Sequence, residues 1–196
     1  MRDYITLKRI EAMKIIVSTG NVTSSSPQAT YLAADTSVTR TGRAFYVPHF
    51  ATSCTARLAI AWHIALVGKT IAERHAARYC QMASPAVLLS ACPDSSCDAR
   101  WVAFDGSLLL GEAVAVDVSG MQSLSLLVNG EERATGTTGD LCCGYASQLS
   151  QLSRHFTFKT GDLLLSDVSA AEVSLSVGDR LEASLDGASL LQVLIK

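Results

Sequence analysis

Four histidines, six cysteines and an arginine set in an apolar strand are the residues of this chain whose types could do chemistry. The cysteines are Cys54, Cys80, Cys92, Cys97, Cys142 and Cys143. Cys92 and Cys97 are too widely spaced, and Cys142 and Cys143 too closely, to give the Cys-x-x-Cys pairs of a structural zinc site, so free, mostly buried thiols in a reducing compartment are expected. Cys142-Cys143, beside a helix start, reads as a buried pair rather than as a reactive one. No two of His49, His63, His75 and His155 share a metal-binding spacing, and each reads as a satisfied or solvated side chain rather than a ligand or base. Ser25 has no Gly-x-Ser-x-Gly elbow around it and is not a nucleophile by pattern.

The elements that must position these groups follow from periodicity. In 56–67, Leu58, Ile60, Trp62, Ile64 and Leu66 alternate with Arg57, Ala59, Ala61, His63 and Ala65. This predicts a strand with one large apolar face and one small polar face that carries Arg57 and His63. Thr70-Ile71-Ala72-Glu73 resembles a capping box, and Ile71, His75, Ala76, Tyr79 and Cys80 follow at helical spacing, predicting a helix that ends near Met82 before Pro85. Val87-Leu88-Leu89 reads as a short strand and 91–98 as a loop. A second helix carries Leu141, Tyr145, Leu149, Leu152 and Phe156 as its stripe. Asn129-Gly130, Gly161-Asp162, Gly178-Asp179 and Asp186-Gly187 read as hairpin turns. Strands are expected from Lys14 to Val17 and from Thr30 to Ala33, within a largely loop-like 19–44, and ordered structure resumes at Phe45-Tyr46-Val47-Pro48. The class is α+β, mainly antiparallel β, with two main helices packed on the strands.

At 196 residues and 48% hydrophobic, the chain is long enough for one core. We read 13–196 as a single domain and 1–12, before Met13, as a leader or tail. The net charge of −2, with lysines and arginines scattered, disfavours nucleic acid and anionic membrane as partners. The longest apolar run, Leu58 to Val67, is too short to span a bilayer, and the charged N-terminus lacks a signal-peptide core, so a cytoplasmic location is expected. The sequon Asn21-Val22-Thr23 carries no weight without secretion.

Several segments, taken in order, resemble the fumarylacetoacetate hydrolase family. They are Phe45-Tyr46-Val47-Pro48-His49-Phe50, Val67-Gly68-Lys69, Phe104-Asp105-Gly106-Ser107, Val128-Asn129-Gly130-Glu131, Gly136-Thr137-Thr138-Gly139-Asp140, Ser153 to Asp162 and Val177-Gly178-Asp179. The resemblance runs from Met13 to Lys196 and implies a mixed β-sandwich roll that usually dimerises. It also implies a divalent cation held by two glutamates and an aspartate, which polarises an oxo- or diketo-acid. The glutamates, spaced as E-x-E so that both face one side of a strand, fall on Arg57 and Ala59, and the aspartate on Leu88, with Asp94 nearby in sequence. The family's catalytic His-Glu pair falls on Ser25 and Gln28, its two lysines on Ala33 and Val102, and its substrate-binding loop on Ser166 to Ala171.

The scaffold motifs are thus kept while the positions of chemistry hold groups that cannot ligate a hard cation or act as a base. No catalytic or metal-ligand residue is assigned. The expected function is that of a catalytically inactive member with a binding or structural role, as a homodimer or the partner of an active relative, with no cofactor. Arg57, a fixed charge where the family places a cation, could still bind a small carboxylate or phosphate without turning it over, and the candidate cleft is Ser25, Gln28, Arg57, Asp105 and Asp167. Two alternatives stand beside this reading: a metal-independent enzyme with changed chemistry, and a magnesium- or manganese-dependent hydrolase or decarboxylase of small oxo-acids whose ligands lie elsewhere.

Overall fold

Strict alternation in the segment around Trp62 and positive-φ residues at the tight turns set the architecture. In a computed structural model, residues 14–20, 22, 29–93 and 102–196 are described. The strands are β1 (Ile15–Thr19), β2 (Ala29–Ala33), β3 (Val38–Arg40), β4 (Ser53–Ile64), β5 (Cys80–Cys92), β6 (Leu108–Leu110), β7 (Val114–Ala115), β8 (Ser123–Val128) and β9 (Glu131–Thr137). After helix α1 (Tyr145–His155) follow β10 (Leu163–Asp167), β11 (Val173–Ser174), β12 (Arg180–Leu185) and β13 (Ala188–Leu194). A large curled sheet has the order β2-β1-β10-β4-β5-β6-β3, with β11 on β4 and β7 on β5, and a four-stranded sheet runs β13-β12-β8-β9. All pairs are antiparallel except β1 with β10 and β3 with β6. The α+β, mainly antiparallel sandwich roll expected from the sequence is what forms.

The main core lies where the large sheet packs on the small one and on α1. Leu58, Ile60, Trp62 and Ile64 from β4 meet Leu124 and Leu126 of β8, Leu181 and Ala183 of β12, and Tyr145 and Leu149 of α1. Trp62 and Tyr145 stack with ring centroids 5.0 Å apart. The other face of the large sheet holds a second cluster with smaller side chains on β4 and β5: Ala59, Ala61, Ala86 and Leu88, flanked by Val17, Leu108, Leu163 and Leu165. Gly136 in β9 is required where the sheets touch, since a Cβ there would lie 1.8 Å from the carbonyl oxygen of Val168.

Two of the four expected hairpin turns are hairpins. Asn129 and Gly130 (φ 54° and 83°) join β8 to β9, and Asp186 and Gly187 (φ 49° and 79°) join β12 to β13. Positive φ at both central positions gives the twist that hairpins need. Gly161-Asp162 and Gly178-Asp179 are instead corners, because β10 is flanked by β1 and β4, and β11 pairs with β4 rather than with β12.

The expected helix over 70–82 does not form. Thr70 has φ +53°, and only Glu73–Tyr79 turn, as a 3₁₀ helix with Ala76 its one buried residue. From Cys80 the chain is a thirteen-residue strand that passes through Pro85, where a break was expected. The proline is tolerated because it stands where the outer neighbour of β5 changes from β7, paired at Met82 and Ala83, to β6, paired from Ala86. No ladder donor is needed there, and the Pro85 carbonyl accepts from Gly111 N–H at 2.9 Å. Residues 1–12, Asn21 and Thr23 of the sequon, Ser25, Gln28 and Asp94 lie outside the described residues.

Candidate functional site

The small face of β4 delivers Arg57 to a point where three segments meet. In the β4–β5 ladder Arg57 stands directly opposite Leu88, and in the β4–β10 ladder Ala59 stands opposite Asp167. Directly opposed residues in an antiparallel pair share a face, so Arg57, Ala59, Leu88 and Asp167 share one face of the sheet. The three positions to which the resemblance assigns metal ligands are therefore brought together. They carry a guanidinium, a methyl and an isobutyl group.

The charge of Arg57 is taken up within the chain. Its Nη1 lies 3.6 Å from Asp167 Oδ2, and its Nη2 donates to Glu172 Oε1. The two carboxylates differ sharply in setting: the Asp167 side chain is 4% exposed and also accepts from Gly20 N–H at 2.9 Å, whereas Glu172 is 54% exposed on the turn leading into β11. A buried carboxylate is tolerated only when paired and hydrogen-bonded, so Asp167 and Arg57 hold one another. The Arg57 side chain keeps 31% exposure on its other side. Tyr31, on β2, is a further polar group nearby: burial pushes its hydroxyl up to about 12, with Arg57 opposing and Asp167 adding to the shift. Neither Tyr31 nor Glu172 was marked by the sequence.

Of the candidate cleft residues, Arg57 and Asp167 come together. Asp105 accepts from Thr36 Oγ1 at 2.6 Å, in the turn that leads into β6, and its described partner is not Arg57. Ser25 and Gln28 cannot be located among the described residues. In the loop matched to the family's substrate loop, Ser166 is buried with its Oγ 2.5 Å from Gln148 Oε1, and Val168 N–H bonds Leu58 O at 3.0 Å. Glu172 follows directly after its last residue, Ala171.

The histidines do not converge. His63 Nε2 lies 2.8 Å from Ser84 Oγ on the small face, and burial, with Arg40 adding to it, pushes its pKa down to about 4. It is a half-buried, neutral side chain satisfied by a serine. His75 Nε2 accepts from Arg74 Nε at 3.2 Å. Cys54 and Cys80 are buried free thiols raised to about 11 by desolvation. Two cysteine expectations need correction. Cys142 is exposed and Cys143 partly so, because they precede α1 on the outside of the turn, and Cys92, the last residue of β5, is disulfide-bonded rather than free.

A model of the fumarylacetoacetate (FAA) hydrolase C-terminal family matches residues 13–195. The chain belongs to this family. The oxaloacetate tautomerase YcgM of Escherichia coli K12 is 38% identical over 92 residues, 45% of this chain and 42% of that protein, so the match spans less than half of the relative's length. Among solved structures, fumarylpyruvate hydrolase from Pseudomonas aeruginosa in complex with Mn²⁺ and pyruvate superposes with a TM-score of 0.81 at 18% identity, covering 94% of this chain and 89% of that one. The 5-carboxymethyl-2-hydroxymuconate delta-isomerase from Mycobacterium smegmatis gives a TM-score of 0.85 at 20% identity, covering 94% and 77%. At these identities the structures establish the fold.

A Mn²⁺ ion such as that relative holds would need hard oxygen donors. Arg57, Ala59 and Leu88 supply none, and the guanidinium already stands on Asp167 and Glu172. Among the described residues no group of three or more His, Cys, Asp or Glu side chains is placed to hold a metal ion, and no helix is long and apolar enough to cross a membrane.

Proposed function

We propose that this family member has given up the metal-dependent reaction and serves a binding or structural role, with Arg57 as the anchor for a small carboxylate. One observation carries the reading: the guanidinium of Arg57, opposite Leu88 and beside Ala59, is fixed by a buried carboxylate at the place where the resemblance puts a divalent cation. Arginine cannot deprotonate to become a ligand, and its planar fork suits a carboxylate. On this reading the protein works as a homodimer or beside an active relative in the cytoplasm. The test is to add magnesium or manganese at millimolar concentration and follow both binding and the keto–enol exchange of oxaloacetate. Neither ion should bind, and no exchange above the uncatalysed rate should appear; metal-dependent turnover would overturn the reading.

A second reading, a metal-dependent tautomerase, isomerase or hydrolase acting on small oxo-acids, is favoured by the likeness to the E. coli tautomerase. It requires oxygen ligands from positions other than Arg57, Ala59 and Leu88. The same titration separates the two, and light scattering on the purified protein tests the dimer.

A further inference from the structure

The free thiols of this chain have opposite surroundings. Cys54 and Cys80 lie in the main core, and burial pushes both thiols up to about 11, which leaves them inert toward soluble oxidants. Cys142 and Cys143 stand side by side in the turn before α1, with Cys142 exposed and Cys143 partly so. Neither belongs to a hydrophobic cluster, so packing gives no account of two adjacent thiols there. They are also held differently. The Cys143 carbonyl accepts from Gln148 Nε2 at 2.6 Å, and the buried Gln148 is itself fixed by Ser166 Oγ, which donates to its Oε1 at 2.5 Å. Gln151 Nε2 donates to Cys143 Sγ at 3.6 Å. Cys143 is thus pinned to α1 and, through Gln148, to β10, while among the described residues no such bond holds the Cys142 side chain.

We propose that Cys142 and Cys143 form a reversible oxidation site for small hydroperoxides, in which the exposed Cys142 reacts first and the pinned Cys143 closes a ring disulfide onto it. The Cys142 thiolate attacks one oxygen of the hydroperoxide: an S–O bond forms, the O–O bond breaks, and the departing oxygen takes a proton from water to leave as alcohol, or as water from hydrogen peroxide. The Cys143 thiolate then attacks the sulfur of the sulfenic acid so formed. An S–S bond forms, the S–O bond breaks, and hydroxide leaves and is protonated to water. The pair loses two electrons and the hydroperoxide gains them. A thiol next door is what stops the oxidation at a disulfide instead of the irreversible sulfinic acid. Consecutive Cα atoms are about 3.8 Å apart, closer than the roughly 4.4–6.8 Å that disulfides usually span. The ring is therefore strained and easily reduced, which makes the site reversible and not a structural staple. The proposal is independent of what Arg57 binds.

The experiment exposes the full chain and its Cys142→Ser and Cys143→Ser variants to hydrogen peroxide, and follows each cysteine by alkylation and peptide mass spectrometry. Both positions lie outside the core and serine nearly matches cysteine in size, so the variants should fold, which circular dichroism checks. In wild type the 142–143 peptide should lose two hydrogens as the ring closes. Dithiothreitol should restore it at a concentration about tenfold below that which opens the disulfide at Cys92. Cys143→Ser should stop at a sulfenic acid on Cys142 that dimedone traps, and Cys142→Ser should react about tenfold more slowly than wild type. Sulfinic acid in wild type without a ring, or a disulfide between two copies of the chain, overturns the proposal. So does a 142–143 peptide that stays reduced while Cys54 or Cys80 is oxidised. Equal rates in the two variants overturn the assignment of Cys142 as the first thiol to react.

Discussion

The two faces of β4 have followed different rules. One presents Leu58, Ile60, Trp62 and Ile64 to the second sheet and α1, and is filled by large side chains. The other presents Arg57, Ala59, Ala61 and His63, where two alanines and two titratable groups share a surface with Leu88 and Leu165. The first face is a packing problem solved by volume. The second is built of small residues, and its polar groups are answered within the chain: Arg57 by Asp167 and Glu172, and His63 by Ser84. The difference shows that one strand can fill a core with one side while its other side holds charge and small side chains.

Trp62→Ala should break the packing face with the largest effect. Trp62 is 1% exposed and stacks on Tyr145, so urea unfolding should show a loss of about 3–5 kcal/mol. A loss below about 1 kcal/mol would mean that this face is not the main core.

His63 makes the small face sensitive to pH. Its folded pKa of about 4 lies below the ordinary 6.5, so the unfolded chain binds the extra proton first. The stabilisation from keeping His63 neutral is complete above pH 6.5 and is lost as pH falls toward 4. That loss is on the order of 3 kcal/mol. His63→Gln, which can still bond Ser84, should flatten the stability profile in this window; a profile identical to wild type would show that His63 is solvated.

Arg57→Ala takes the guanidinium away from the buried Asp167. Because Arg57 is 31% exposed, the cost should be nearer about 2 kcal/mol than the larger penalty of a fully buried pair. Glu172→Gln should have the smallest effect, about 0.5 kcal/mol or less, and salt should reduce it further. If the order of these last two is reversed in chemical denaturation, Asp167 is not the carboxylate that fixes Arg57.

Strict alternation made β4 and its two faces legible, and the Asn129-Gly130 and Asp186-Gly187 dipeptides made two hairpins legible, because each signal is local. The segment from Ile71 to Cys92 was not. A strand buried on both faces loses its alternation, so β5 reads as a plain apolar run interrupted by Pro85, and its beginning looks helical. Whether the proline breaks the strand depends on which neighbour faces its nitrogen, and that neighbour is the boundary between β6 and β7. Arg57 and Asp167 could be named from resemblance. Glu172, 115 residues from Arg57 along the chain, and Tyr31, on a separate strand, had no local signal.

By itself, the sequence determined the class, the family, the twisted hairpins and the absence of ligating side chains at Arg57, Ala59 and Leu88, since these depend on residue type, short-range spacing and backbone conformation. Only the tertiary structure decided that these three positions lie on one face and that Asp167 and Glu172 close on the guanidinium from β10 and the turn before β11. Ladder register brings distant segments within a few ångströms of one another, and the balance between desolvation and ion pairing at Arg57 exists only once they meet.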